Sequence, residues 1–249
     1  MKISVVTAVY NREATIGRAM DSFEKQSWMN KEQIIVDGAS KDATLEIVHR
    51  YSNDNAIIVS EKDNGIYDAI NRGISLATGD VVGLLHSDDF FAHANVLSKI
   101  AEAFEDPKLD IVYADAAFFS PGKSNHITRR YNSSRFSASR IRNGWMPAHT
   151  TMYARRRVFE EYGQYREDFK IAADFEFIAR TFGSGRIKSR YISEIWMMMQ
   201  TGGASTGGLK SKLVLNREVL KACQLNGIPT SYVGILSKYP EKLLELIRR

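Results

Sequence analysis

Cysteine is almost missing from this chain, with Cys223 the only one. An internal disulfide is therefore excluded, and a reducing compartment, the cytoplasm, is expected. No run of about 18 apolar residues occurs, so no bilayer-spanning helix is expected and any membrane contact is peripheral. The strand-like Lys2-Ile3-Ser4-Val5-Val6 follows Met1 directly, which is not the pattern of a secretory leader. Neither a G-x-G-x-x-G turn nor a G-x-x-x-x-G-K-[ST] loop is present, which argues against NAD and P-loop chemistry. Helix-turn-helix, zinc and RNA-binding signatures are also missing, so the net charge of +5 is not assigned to a nucleic-acid partner. It suits an anionic substrate or an anionic membrane surface.

What the chain does contain is rhythm. Its 249 residues, 44% of them hydrophobic, suffice for a sizeable core. Lys2 to Val9 reads as a strand, and Ile16, Met20 and Phe23 then recur at helical spacing. Ile34 to Val36 is a second strand, followed by a helix carrying Leu45, Ile47 and Val48, and Ala56 to Val59 is a third. Ile66, Ile70, Ile74 and Ala77 share one helix face, and a fourth strand runs from Val81 to Leu85. Such alternation predicts βαβ units and a mostly parallel sheet.

The pattern changes after about residue 110. Asp110 to Phe119 reads as a strand of a mixed sheet, and the polar, Arg-rich stretch from Ser120 to Gly144 as a mobile surface segment. Thr150 to Ala154 and Arg190 to Met199 are further strands, with a short helix to Tyr162 and another from near Asp174 between them. From Leu209 the chain reads as helical in two pieces separated by Gly227-Ile228-Pro229. The expected organisation is a domain over 1–208, split near residue 110, and a C-terminal helical extension over 209–249.

In a parallel sheet the strand ends share one edge, where ligands collect in open α/β folds. Here those ends carry Thr7 to Asn11, Asp37, Glu61-Lys62-Asp63 and, after Leu84-Leu85-His86-Ser87, the pair Asp88-Asp89. Asn11, Ser40, Asp42 and Asn64 are plausible helix caps, and Asp37 alone fits a turn as well as a ligand site. Capping does not account for acids placed before the caps. Converging carboxylates suit a divalent cation, Mg2+ or Mn2+, or the sugar and base of a nucleotide. Successive strand side chains point to opposite faces, so Asp88 and Asp89 are expected to do different work.

Taken in order, Thr7-Ala8-Val9-Tyr10-Asn11, Val36-Asp37-Gly38-Ala39-Ser40-Lys41-Asp42-Ala43-Thr44, Glu61 to Gly73, and Ala77-Thr78-Gly79-Asp80 running into Ser87-Asp88-Asp89 resemble the family 2 inverting glycosyltransferases. The branch building bacterial exopolysaccharide and lipopolysaccharide is especially similar. The resemblance implies a GT-A (Rossmann-like) α/β fold with a mostly parallel mixed sheet flanked by helices. It also implies transfer of a hexosyl or N-acetylhexosaminyl group from a nucleotide-sugar donor, such as a UDP-sugar, to a saccharide or lipid-linked acceptor in surface polysaccharide biosynthesis. By match to the family's motifs, Thr7, Tyr10, Asn11 and Arg12 border the nucleotide base, and Asp37 and Asp63 contact the nucleotide. Asp88 meets the ribose or donor sugar, Asp89 holds the metal, and Asn71 lies near the donor. His86 departs from the family, in which Asp or Asn is common. Asp68 and Arg72, four apart, also fit a surface ion pair.

An inverting displacement needs a carboxylate to take the acceptor's proton, and Asp174 in Ile171-Ala172-Ala173-Asp174-Phe175-Glu176-Phe177 matches the family's base. A bare N-cap is the alternative for Asp174, and Glu176 is the fallback. Trp145 and His149 are candidates for acceptor binding, as is Glu176; a buried structural His149 is equally open. The Gly-rich loop from Gly202 to Gly208 reads as a lid or an ordinary hinge. The basic, apolar end from Lys242 to Arg249 reads as a contact with the inner leaflet or as packing on the domain. Two other readings are carried: a metal hydrolase built on His86, Asp88, Asp89 and His93, and a non-catalytic subunit that binds nucleotide sugars.

Overall fold

The computed structural model describes residues 1–53, 56–202 and 208–240. Four parallel strands form one half of the sheet: β1 (Ile3–Val9), β2 (Lys31–Asp37), β3 (Ala56–Ser60) and β4 (Val81–Leu84), in the order β3-β2-β1-β4. Helices α1 (Ile16–Glu24), α2 (Thr44–Tyr51) and α3 (Ile66–Leu76) make the crossovers. Alternation along β1 decides which layer each side chain enters. Val6 and Ala8 pack with Ile70 and Ile74 of α3. Ile3 and Val5 pack on the other side with Phe23 and with Ile100 of α4 (Val96–Ala103). Ile66, expected on the buried face of α3, is exposed at the first residue of the helix.

Beyond β4 the sheet becomes mixed. The short β5 (Phe90–Phe91) follows β4 in the chain, then β6 (Ile111–Ser120), β7 (Lys123–Tyr131), β8 (Tyr153–Arg155) and β9 (Ser189–Gln200) complete it. The sheet continues β4-β8-β6-β9-β5, with β7 paired to β6. Strand β8 runs antiparallel to both β4 and β6, while β9 runs parallel to β6. The seam between the two halves is tight: a Cβ at Gly83 would lie 2.2 Å from Cε1 of the fully buried Tyr153.

Two expectations are corrected here. The stretch from Ser120 to Gly144 is not a loose surface segment, because it folds back as β7 and continues in short 3-10 turns. Buried Asp115 anchors it, accepting from Arg130 Nε at 2.8 Å, Ser133 N–H at 2.7 Å and the Tyr191 hydroxyl at 3.0 Å. The strand read at Thr150 to Ala154 is shorter, because His149–Thr151 forms a 3-10 turn.

Helices α5 (Arg156–Tyr162) and α6 (Ala173–Gly183) lie before β9, and α7 (Leu209–Leu225) and α8 (Tyr232–Leu236) after it. Helix α7 is no free appendage, since Val219, Ala222 and Cys223 share a core with Ile178 and Phe182 of α6. Among the described residues no helix is long and apolar enough to cross a membrane. Most of the Gly-rich loop and the whole of the Lys242 to Arg249 end lie outside the described residues.

Candidate functional site

The C-terminal edge of β1–β3 is stitched by its own loops. Asn11 adopts a left-handed φ of 49°, which asparagine tolerates better than most residues. Its Oδ1 accepts from Lys41 N–H at 2.9 Å, and its own N–H donates to Ser40 Oγ at 2.8 Å. The next residue follows suit, Arg12 N–H donating to Thr44 Oγ1, which leaves the exposed guanidinium at the rim. The Tyr10 ring is 52% exposed beside Gly38 and Asp63. A Cβ at Gly38 would meet Asp63 Oδ2 at 2.5 Å and the Tyr10 ring at 3.4 Å. Gly38→Ala is therefore expected to push Asp63 and Tyr10 apart and weaken nucleotide-sugar affinity about tenfold, read by calorimetry with folding unchanged.

Two residues assigned to this edge sit beneath it. Thr7 is fully buried inside β1. Asp37 is also fully buried, its carboxylate accepting from Ser40 N–H at 3.0 Å and Ser60 Oγ at 2.6 Å. Neither presents a side chain to a ligand in this conformation; Asp37 shapes the loop that does. Asn71 is corrected outright. Its amide donates to Tyr165 O at 2.8 Å and accepts from Tyr165 N–H at 3.0 Å, which ties α3 to the segment before α6. Asp68 takes the bland reading, pairing with Arg72 at 2.9 Å.

At the end of β4 the chain turns, with Asp89 N–H donating to His86 O at 3.0 Å. The two acids then meet different surroundings. Asp88 is partly exposed, whereas Asp89 is 3% exposed and accepts from Gln200 N–H at 3.0 Å. Arg18 of α1 donates to Asp88 O at 2.9 Å and to Gln200 Oε1 at 3.2 Å, its guanidinium packed on the Phe90 and Phe119 rings. Burial, and then the neighbouring Asp88 charge, hold the Asp89 carboxyl well above the usual carboxylate range. A divalent cation would relieve that excess of negative charge. Among the described residues no group of three or more His, Cys, Asp or Glu side chains is gathered to hold a metal alone. The hydrolase set His86, Asp88, Asp89 and His93 is therefore not gathered into one metal site, and His93 lies 4.0 Å from Glu194.

The second half brings Asp174 to this place. Asp174 is the second residue of α6, near the positive end of the helix dipole. Its Oδ1 accepts from Phe175 N–H at 2.7 Å, and its Oδ2 lies 3.2 Å from His149 Nδ1. His149 Nε2 in turn lies 3.0 Å from Nε2 of His86, the residue that leads into the acid pair. Burial pushes the Asp174 carboxyl up to about 6 and pulls His149 down to about 4. His86 also falls to about 4, through burial and then its histidine neighbour. At neutral pH the carboxylate is ionised and both rings are neutral.

The turn that presents Asp174 is held from two sides. The Tyr67 hydroxyl of α3 donates to Ile171 O at 2.6 Å and accepts from Ala173 N–H at 3.2 Å. Glu218 of α7 accepts from the N–H groups of Lys170, Ile171 and Ala172 at 2.8 to 2.9 Å. Hydrogen bonds to a charged group contribute about 1.5–3 kcal/mol each at most, and these three share one carboxylate. Glu218→Ala is expected to lower the unfolding temperature by several degrees and to cut turnover, and calorimetric scanning with a rate assay checks both.

Two acceptor candidates are corrected. Trp145 is buried, with the Arg140 and Arg135 guanidinium groups 4.1 and 5.3 Å from its ring, so no face is offered to a sugar. Glu176 is buried and bound to Arg180 at 2.9 Å and to Asn226 at 3.2 Å. Neighbours two apart on a helix face away from each other, so Glu176 serves the α6–α7 junction and not the site beside Asp174.

A parallel β1–β4 half with acids on its edge, continued by a mixed half that returns a carboxylate to that edge, defines an α/β protein of the GT-A fold. The chain belongs to glycosyl transferase family 2, whose family model matches residues 4–163. It is a glycosyltransferase. It is 29% identical over 222 residues to a PGL/p-HBAD biosynthesis glycosyltransferase of Mycobacterium tuberculosis, covering 88% of this chain and 82% of that one. Its fold resembles that of S. aureus TarS 1-349 in complex with UDP-GlcNAc, with a TM-score of 0.70, 19% identity, and coverage of 89% of this chain and 66% of that one. It likewise resembles a mannosyltransferase of Pyrobaculum calidifontis in complex with GDP-Man and Mn2+, with a TM-score of 0.65, 16% identity, and coverage of 98% and 80%.

Proposed function

We propose that this chain is a metal-dependent, inverting glycosyltransferase that moves a sugar from a UDP-sugar to a saccharide or lipid-linked saccharide acceptor in surface polysaccharide or glycolipid assembly. The observation that carries it is the line His86–His149–Asp174, which joins the strand end bearing Asp88-Asp89 to a carboxylate from the other half. Tyr10, Arg12 and Asp63 border the nucleotide, on a loop shaped by Asn11 and Asp37. Asp88 faces the donor's sugar or ribose. Asp89 would hold Mg2+ or Mn2+, a cation that would supply positive charge to offset the leaving diphosphate. Asp174 takes the proton of the acceptor hydroxyl. The acceptor oxygen forms its bond to the anomeric carbon as the bond from that carbon to the diphosphate oxygen breaks, and the diphosphate leaves with the electron pair.

Support for a uridine donor comes from the UDP-GlcNAc complex of TarS, and support for a cation from the Mn2+ complex of the mannosyltransferase, which holds GDP-Man instead. A thermal-shift comparison of UDP- and GDP-sugars, each with and without Mn2+, tests the donor and the cation together. Stabilisation by a UDP-sugar only when Mn2+ is present is the expected result, and equal stabilisation without metal would sink the cation.

A further inference from the structure

Asp174 is half-buried, with 17% of its side chain exposed, and apart from the Phe175 N–H its charge is met by no permanent cation among the groups that face it. Tyr67 of α3, Tyr165 of the segment before α6 and Glu218 of α7 face it electrostatically, and none of them is a cation. His86 and His149 complete its surroundings, and both are neutral at pH 7. Among the described residues one polar side chain touches the carboxylate: His149, through Nδ1 at 3.2 Å from Oδ2.

The chemistry of that contact fixes two protons. An ionised carboxylate only accepts, so His149 must carry its hydrogen on Nδ1. A neutral imidazole holds one hydrogen, so His149 Nε2 is then bare and accepts. The atom 3.0 Å away, His86 Nε2, must therefore be the donor. Both tautomers are set by one rule, and His149 Nδ1, His149 Nε2 and His86 Nε2 each meet a complementary partner. A donor aimed at the carboxylate favours its charged form and opposes the effect of burial. The same bond, together with Phe175 N–H on Oδ1, fixes the carboxylate plane and leaves the remaining lone pairs for an incoming hydroxyl.

We infer that His149, backed by His86, is the positioning residue for Asp174: its Nδ1–H orients the carboxylate and keeps it in the form that accepts the acceptor's proton. The inference rests on the reading of Asp174 as the base. It gives His86 a task independent of the donor, as the group that sets the His149 tautomer. It also places His149 behind the reacting atoms and not against the acceptor.

The test uses the geometry of amide side chains, since the Asn amide nitrogen superposes on histidine Nδ1 and the Gln amide on Nε2. His149→Asn keeps a donor toward Asp174, and His149→Gln keeps only the group toward His86. Transfer is followed from pH 5 to 8 with donor KM determined throughout. The expected result is a kcat within about threefold of wild type for His149→Asn, with the acid limb unmoved. For His149→Gln it is a loss of at least tenfold in kcat, an acid limb displaced to higher pH and an unchanged donor KM. Equal behaviour of the two variants, or an unmoved limb in His149→Gln, overturns the inference. So does 15N NMR of the intact wild-type protein if His149 is the Nε2–H tautomer, a measurement that stands even if a variant misfolds. Full turnover by Asp174→Asn would instead defeat the underlying assignment of the base, whatever the histidine variants do.

Discussion

Asp174→Asn is expected to lose transfer by at least a thousandfold while binding donor normally and unfolding at a higher temperature than wild type. The catalytic half follows from removing the acceptor of the proton without changing the side chain's shape. Asn offers no lone pair basic enough for the task. The stability half follows from linkage. Burial raises the carboxyl from 3.8 to about 6, so the folded state binds more protons than the unfolded chain between those values. Stability therefore falls as pH rises through that window, and above about 6 the charged group costs about 3 kcal/mol. A neutral amide avoids that cost and still accepts from His149 through its oxygen, and for a chain of this size the gain amounts to several degrees. Turnover of the wild type is expected to fall below pH 6 as Asp174 protonates. Calorimetric scanning of the variant, with donor titration and a pH profile of the wild type, covers all three statements. Wild-type turnover by the variant would end the assignment, and a lower unfolding temperature would refute the burial argument.

Asp89→Asn is expected to abolish the part of donor affinity that depends on Mn2+ or Mg2+, a loss of at least tenfold. The variant's affinity without metal should stay as it was. Asp89 is buried beside the like charge of Asp88, with Arg18 as its nearby cation, so its charge is costly unless a cation shares the site. The same reasoning makes the metal-free variant more stable than metal-free wild type. Donor titration with and without Mn2+ decides the first point, and an unchanged metal-dependent gain would remove Asp89 from the cation's shell. Arg18 sharpens the expectation, because it holds Asp88 by the backbone oxygen and not by the carboxylate, and the Gln200 N–H engages only Oδ1 of Asp89.

The β1–β4 half was legible because its physics is local. Val6, Ile34, Ile70 and Ile74 announce their layers by periodicity, and acids at strand ends announce the edge. The other half was less so, because its side chains find their partners across the fold. Trp145 reads as a sugar platform until the Arg140 and Arg135 guanidinium groups are found against its ring. Asn71 reads as a donor contact until the Tyr165 backbone claims its amide. Glu218 gives no local signal at all; it lies in an ordinary amphipathic helix, and its three backbone partners precede a different helix. His86 stands out in the sequence only as a departure from the family pattern, and its partner His149 lies 63 residues away. The Arg-rich stretch reads as solvated from its polarity alone, whereas buried Asp115 gives it an anchor.

The seam at Gly83 and Tyr153 has a consequence for inheritance. A Cβ at Gly83 would run into the Tyr153 ring at 2.2 to 2.5 Å, so neither position is free to change unless the other answers. The edge proposed for the donor sits on one side of that junction and Asp174, the proposed base, on the other. A chimera that exchanged one half of the sheet for a distant counterpart would have to carry both sides of this single contact together.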